Sequence, residues 1–213
     1  MNVVSQLVPN AATKIFGDRL PLAEAYHHSL STTAAERGFI GPKEVERLWE
    51  RHILNCAVIQ EHFASDLRVA DVGSGAGLPG IPLAIARPDL RITLIEPLLK
   101  RSTYLAEITQ QLGLDNVTVT RGRAEEQPKA AFDAVTSRAV APLGKLAGWS
   151  LPLVVGGGEM IAMKGESVAE ELERDRAQIE KAGGTNPTIL TVGAGTLEQP
   201  TTLISITRKK KGA

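Results

Sequence analysis

The rhythm of hydrophobic and polar positions changes once along this chain, near residue 66. Residues 1–65 carry helical spacing and no strand pattern. One helix is predicted over residues 21–36. A second is predicted to begin at Gly41-Pro42, since proline suits a first helical turn. Val45, Leu48, Trp49, Ile53 and Cys56 recur there at three- and four-residue spacing, which marks a buried face.

From Leu67 strands and helices alternate. Strands are predicted over Leu67–Val72, Arg91–Ile95, Val117–Thr120, Phe132–Ser137 and Gly158–Lys164. Helices are predicted from the glycine-rich stretch 73–80 to about Arg87, over Leu98–Leu112, near Leu143–Val154 and over 166–182. Leu98, Leu105, Ile108 and Leu112 are expected on one side of their helix. Gly183-Gly184 reads as a helix stop. Ile189–Val192 and Leu203–Thr207 close the chain as two further strands. Alternation of this kind implies right-handed crossovers and a mostly parallel sheet covered on both faces. The last two strands have no helix between them, so they are expected to be antiparallel neighbours. The division expected is a helical extension, 1–65, packed on a core, 66–213, within one structural domain.

Composition narrows this picture only slightly. A chain of 213 residues, 43% hydrophobic and 23% charged, suits one packed domain rather than disorder. Its 24 basic and 24 acidic residues cancel, which neither argues for nucleic acid nor excludes it. The lone Cys56 cannot form an internal disulfide, fits a reducing cytoplasm, and reads as a small core residue. No signal-peptide pattern and no membrane-length apolar run is present, so no membrane partner is expected. No His/Cys cluster suggests a metal, and neither a Walker loop nor a Gly-x-Ser-x-Gly elbow occurs. Nothing asks for a partner subunit, so a monomer is expected.

The chemistry concentrates in Asp71-Val72-Gly73-Ser74-Gly75-Ala76-Gly77. Gly73, Gly75 and Gly77 follow a strand and precede a helix, where open α/β sheets bind ligands and where the backbone must approach them closely. Gly75 to Gly80 also satisfies the dinucleotide pattern G-x-G-x-x-G. Asp71 argues against a dinucleotide: its carboxylate repels a pyrophosphate and attracts an ammonium such as that of a methionine moiety. Glu96, ending the second strand, suits ribose hydroxyls in either cofactor class. The turn Gly122-Arg123-Ala124-Glu125-Glu126 reads either as a backbone site for an adenine edge or as a solvated turn. Together with the antiparallel ending, these features favour a class I (Rossmann-like) seven-stranded methyltransferase sheet binding S-adenosylmethionine, with an N-terminal helical extension.

On the acceptor side, Arg138 ends the fourth strand and Lys164 the fifth. Both are placed on the ligand face, where phosphates would want cations; the competing reading is an ion pair with a nearby Glu. His52 reads as structural rather than catalytic. Lys43, Arg47 and Arg51 read as an ordinary solvated face, given Glu44, Glu46 and Glu50 beside them. The tail Arg208-Lys209-Lys210-Lys211 carries little weight.

Four stretches also resemble a known family. They are Glu50-Arg51-His52-Ile53-Leu54; Asp71 through Leu78-Pro79-Gly80; Arg121-Gly122-Arg123-Ala124-Glu125-Glu126; and Ser137-Arg138-Ala139-Val140-Ala141. Together they resemble the bacterial small-subunit ribosomal RNA guanine-N7 methyltransferases, the RsmG or GidB family. The resemblance implies that Gly73 and Leu78 contact S-adenosylmethionine, that Ala124 and Glu125 flank its adenine, and that Arg138 lies at the cofactor and substrate pocket. It implies a guanine of 16S rRNA in the small ribosomal subunit as acceptor. Guanine N7 carries a lone pair and no proton, so no residue is expected as an essential base; Arg138 and Lys164 are expected to position the RNA. Two departures fall in the N-terminal part. Asn55-Cys56 stands where many members have Asp-Ser, and a Trp-Asn pair of the first helix is missing.

The rival readings are a methyltransferase of small molecules, an NAD-dependent oxidoreductase, and a non-catalytic RNA-binding module.

Overall fold

A computed structural model of the protein describes residues 7–138 and 141–210. Ala139 and Val140 of the Ser-Arg-Ala-Val-Ala stretch lie outside the described residues, as do Lys211 of the basic tail and residues 1–6. Seven strands form one sheet: β1 (Arg68–Val72), β2 (Arg91–Glu96), β3 (Val117–Arg121), β4 (Phe132–Arg138), β5 (Val154–Met163), β6 (Gly184–Val192) and β7 (Thr201–Arg208). Their order is β3-β2-β1-β4-β5-β7-β6. β1 to β5 pair in parallel. β7 inserts between β5 and β6 and runs antiparallel to both. The expected antiparallel ending is therefore present, and it separates this sheet from the parallel dinucleotide-binding order.

The helical segment precedes the sheet as α1 (Asn10–Phe16) and α2 (Leu20–Ser29), the latter continuing through a π-helical stretch, Leu30–Ala34. The α1 helix had no counterpart in the periodicity. The single helix expected from Gly41 is broken: one turn, Pro42–Val45, is followed by Arg47 at φ −123°, ψ 18°, outside helical geometry. A π-helical stretch, Leu48–Leu54, then carries Leu48, Trp49, Ile53 and Leu54 inward. A three- to four-residue apolar spacing fits an α- or a π-helix, so it identified the buried face but not the break.

The crossover helices are α3 (Gly80–Ala86), α4 (Leu99–Gln111), α5 (Leu143–Ser150) and α6 (Val168–Lys181). Leu98, expected on the buried side of α4, is 55% exposed because it precedes the first turn in extended backbone; Leu105, Ile108 and Leu112 are buried. The helix expected to reach Val154 ends at Ser150, since Pro152 cannot donate the next helical hydrogen bond. β5 therefore starts earlier than the run Gly156-Gly157-Gly158 suggested. β6 likewise starts at Gly184, with a register shift around Asn186-Pro187 that hid its first half.

The helical segment and the sheet share one hydrophobic cluster. It joins Tyr26, Leu30, Leu48, Ile53 and Cys56 to Ile81, Leu83, Leu94, Leu105 and Leu203. Cys56 is wholly buried, and desolvation pushes its thiol up to about 11, which fits its reading as a core residue. No helix among the described residues is long and apolar enough to cross a membrane.

Candidate active site

Asp71, Glu96 and Arg138 stand at or near the carboxyl ends of β1, β2 and β4, in register with Leu94 and Thr136, with Arg121, and with Met163 respectively. The loop 73–80 leaves β1 between them. Gly73 and Gly75 adopt left-handed φ values of 72° and 59°. A side chain on Gly75 would meet nothing nearer than 3.9 Å, so this part of the loop is open toward the cleft. Gly77 differs. A side chain there would collide with Ile81 and press on the Tyr26 hydroxyl, so this glycine makes room for the protein's own core.

The two acids act on the loop in different ways. Glu96 is 2% exposed; one carboxylate oxygen accepts the Gly75 amide at 2.9 Å and the other the Leu98 amide at 3.0 Å. Asp71 is completely buried. Its Oδ2 accepts the Gly80 amide at 3.0 Å, and its Oδ1 has no partner. Desolvation pushes this carboxyl up to about 7, against the pull of the Gly80 and Ser74 hydrogen bonds and the Arg138 charge. Asp71 therefore lies beneath the loop and braces the start of α3 from below. The Tyr26 hydroxyl braces the same loop by donating to the Ala76 carbonyl at 2.8 Å.

Leu78 is buried in the main hydrophobic cluster. Ala124 is buried and Glu125 exposed in a short helical turn, Ala124–Glu126, where Glu126 accepts the Arg123 amide at 2.9 Å. The Gly122 amide reaches the Glu96 carbonyl at 3.3 Å, which brings this turn beside the end of β2.

Beyond the loop, an open cavity of about 770 Å³ lies at the ends of β4 and β5. Arg138, Asn55, Lys164, Glu171 and Thr201 are among its lining residues. Lys164 donates to Glu171 at 2.7 Å and to the Ala141 carbonyl at 3.0 Å. This matches the ion-pair reading of that lysine. Arg138 donates to the Arg51 carbonyl at 3.3 Å and reaches Nδ1 of His52 at 2.9 Å. On its far side, His52 Nε2 lies 2.7 Å from Glu44. Among the described residues no carboxylate lies within ion-pair distance of Arg138. Asn55 Nδ2 donates to the Thr201 hydroxyl at 2.7 Å, tying the helical segment to the start of β7.

The structure thus gathers Asp71, Gly73, Gly75, Glu96 and Ala124 around the carboxyl ends of β1 and β2, with Asp71 beneath the loop, and brings Arg138 and Lys164 to one cavity at the ends of β4 and β5. Sequence reasoning missed three contributors. Tyr26 fell inside the predicted helix 21–36 with no role of its own. Asn55 registered only as a departure from a motif. Glu44 counted as solvated surface. Only the Arg-His dipeptide in a recognised stretch hinted at that region.

The sheet order and the loop at its carboxyl edge define a class I, Rossmann-like methyltransferase fold. The same fold occurs in M. jannaschii TYW2, solved in complex with AdoMet, with a TM-score of 0.60 at 18% identity over 77% of this chain and 78% of that one. The chain belongs to the GidB family, rRNA small subunit methyltransferase G, whose model matches residues 19–199. It is 66% identical to the ribosomal RNA small subunit methyltransferase G of Corynebacterium glutamicum over 95% of this chain and 92% of that relative. It is 57% identical to the protein of that name from Rhodococcus jostii, over 94% and 90%.

Proposed function

We propose that this chain transfers the methyl group of S-adenosylmethionine to N7 of a guanine in the 16S rRNA of the small ribosomal subunit. The observation that carries this reading is family membership spanning 19–199, which includes both the loop and Arg138. The loop itself suits an adenosyl ligand. Gly75 leaves space for backbone contact, and the Glu96 carboxylate at the end of β2 suits ribose hydroxyls. In this reading Gly73 and Gly75 form the loop side of the pocket, Gly77 and Leu78 seat the same loop on the core behind it, Ala124 and Glu125 form its adenine end, and Arg138 the boundary with the acceptor. Asp71 supports the loop rather than touching the ligand. The protein works as a cytoplasmic monomer on RNA, without a metal.

When bound, S-adenosylmethionine supplies an electrophilic methyl group on sulfur. The chain's own residues have little covalent work to do, because N7 presents a lone pair and loses no proton. They hold the reactants in line, which recovers on the order of 7–11 kcal/mol of barrier. Arg138 carries a positive charge with no ion-pair partner among the described residues, at a cavity that Glu166, Glu171 and Glu198 also line, and suits RNA phosphate or a guanine edge. Lys164 is neutralised by Glu171 and serves mainly to hold α6 against the end of β5.

A tritium-methyl transfer assay tests the reading, with small subunits that lack the modification as acceptor. Label should enter the RNA. Incorporation into free nucleosides but not into RNA would sink it in favour of a small-molecule enzyme. Calorimetric binding of NAD in place of S-adenosylmethionine would favour an oxidoreductase.

A further inference from the structure

The contact between Arg138 and His52 joins residues 86 positions apart, from β4 and from the helical segment. Its chemistry fixes the state of the histidine. A guanidinium can only donate, so Nδ1 must be the accepting nitrogen, and the ring must be neutral with its proton on Nε2. That proton points at Glu44, whose carboxylate can only accept. Every donor in this row meets an acceptor in one arrangement alone. The ring is 7% exposed, so water does not readily substitute for either partner.

A second observation gives this row a purpose. Arg138 lines the cavity, and both of its recorded hydrogen bonds go to neutral acceptors of the helical segment, the His52 ring and the Arg51 carbonyl. A carboxylate in either place would orient the guanidinium equally well but cancel its charge, as Glu171 does for Lys164. A neutral histidine orients it and leaves the charge for the acceptor.

We propose that His52 is a positioning residue for methyl transfer: Glu44 sets its tautomer, and its Nδ1 holds the Arg138 guanidinium, still fully charged, at the mouth of the acceptor cavity. The proposal rests on the function reading above. It makes the helical segment part of the active site rather than a packing appendage. It also gives the site a proton-sensitive hold. A proton on Nδ1 puts an N–H against the guanidinium and breaks the contact. The charged and titratable groups facing the ring are Glu44, Arg51 and Arg138. Burial and Arg138 keep the ring below its ordinary basicity, so the hold persists at neutral pH, while Glu44 acts the other way.

The test compares His52→Ala, His52→Asn and Glu44→Ala in methyl transfer to small subunits between about pH 5.5 and 7.5. Asn places an amide oxygen where Nδ1 stood and does not titrate. His52→Ala should lower kcat about tenfold or more at pH 7.5, with the cofactor dissociation constant changed less than about threefold. His52→Asn should recover to within about threefold of wild type. Its activity relative to wild type should then rise as the pH falls, because it cannot be protonated. Glu44→Ala lies near the surface and should fold; losing the carboxylate that favours the protonated ring, it should move the acidic limb to lower pH. Titration of Asp71 is common to all four proteins and cancels in these ratios. Wild-type kcat in His52→Ala overturns the proposal. So does a His52→Asn variant as impaired as a folded His52→Ala whose pH profile parallels wild type. If His52→Ala does not fold, the His52→Asn ratio and the Glu44→Ala limb decide alone. Wild type that transfers no methyl to subunits contradicts the function reading instead, and the two failures are told apart in the same assay.

Discussion

Two cations stand at the ends of neighbouring parallel strands, Arg138 on β4 and Lys164 just past β5, and the protein treats them oppositely. The Lys164 ammonium is matched by Glu171 at 2.7 Å, with side chains 10% and 17% exposed. The Arg138 guanidinium is held by a neutral ring and a carbonyl. Position in the sheet made both look like phosphate ligands. Partner chemistry separates them, because a paired charge is spent on the fold and an unpaired charge remains available to a ligand. A matched pair also tolerates burial better than a lone charge does, so the two sites respond differently to mutation.

Arg138→Ala breaks the comparison most directly. Methyl transfer should fall by about a hundredfold or more, on the order of 2.7 kcal/mol of barrier, a larger effect than the roughly 1 kcal/mol of stability lost with the His52 contact. Wild-type transfer in this variant would remove its role. Lys164→Met should do the reverse. Leaving Glu171 half-desolvated without its cation should cost about 2 kcal/mol of stability, and most activity should survive in the cold. A denaturant titration beside a rate measurement separates the two effects.

The acids offer a parallel contrast. Glu96 has both oxygens satisfied by loop amides, whereas Asp71 is buried with one oxygen unpartnered. A carboxyl raised from 3.8 to about 7 stabilises the fold fully below the lower value, and that contribution is lost as pH rises through the upper one. Asp71→Asn should therefore gain on wild type as pH goes from about 5 to 8, by on the order of 1–3 kcal/mol in unfolding free energy. A constant difference across that range would show that Asp71 does not titrate there. Smallest is Tyr26→Phe, which removes one hydrogen bond to the loop and should weaken cofactor binding about fivefold, near 1 kcal/mol, in a calorimetric titration.

The fold was legible where local pattern and topology agree. The strand–helix alternation after Leu67, the glycine loop and the antiparallel pair at the end were all readable, because each follows from spacing within a few residues. The break at Arg47, the early start of β5 through its glycines and that of β6 through Asn186-Pro187 were not readable. There tertiary pairing overrides local preference. The site divided along the same line. Asp71, Gly73, Glu96, Arg138 and Lys164 could be placed at strand ends, but their partners could not. His52 with Arg138, Tyr26 with Ala76 and Asn55 with Thr201 join residues far apart in sequence. Asp71 shows the cost: its strand-end position was readable, but not its complete burial or its hold on the Gly80 amide.

The central claim is methylation of N7, and N7 methylation leaves a distinctive chemical mark. A 7-methylguanosine becomes cleavable by aniline after borohydride reduction. Small subunits lacking the modification should be incubated with the protein and S-adenosylmethionine, and their 16S rRNA then reduced and treated with aniline. One new strand break at a guanine, absent without S-adenosylmethionine and lost in Arg138→Ala, is the predicted result. Methyl incorporation with no cleavage, or cleavage unaffected by Arg138→Ala, would contradict it.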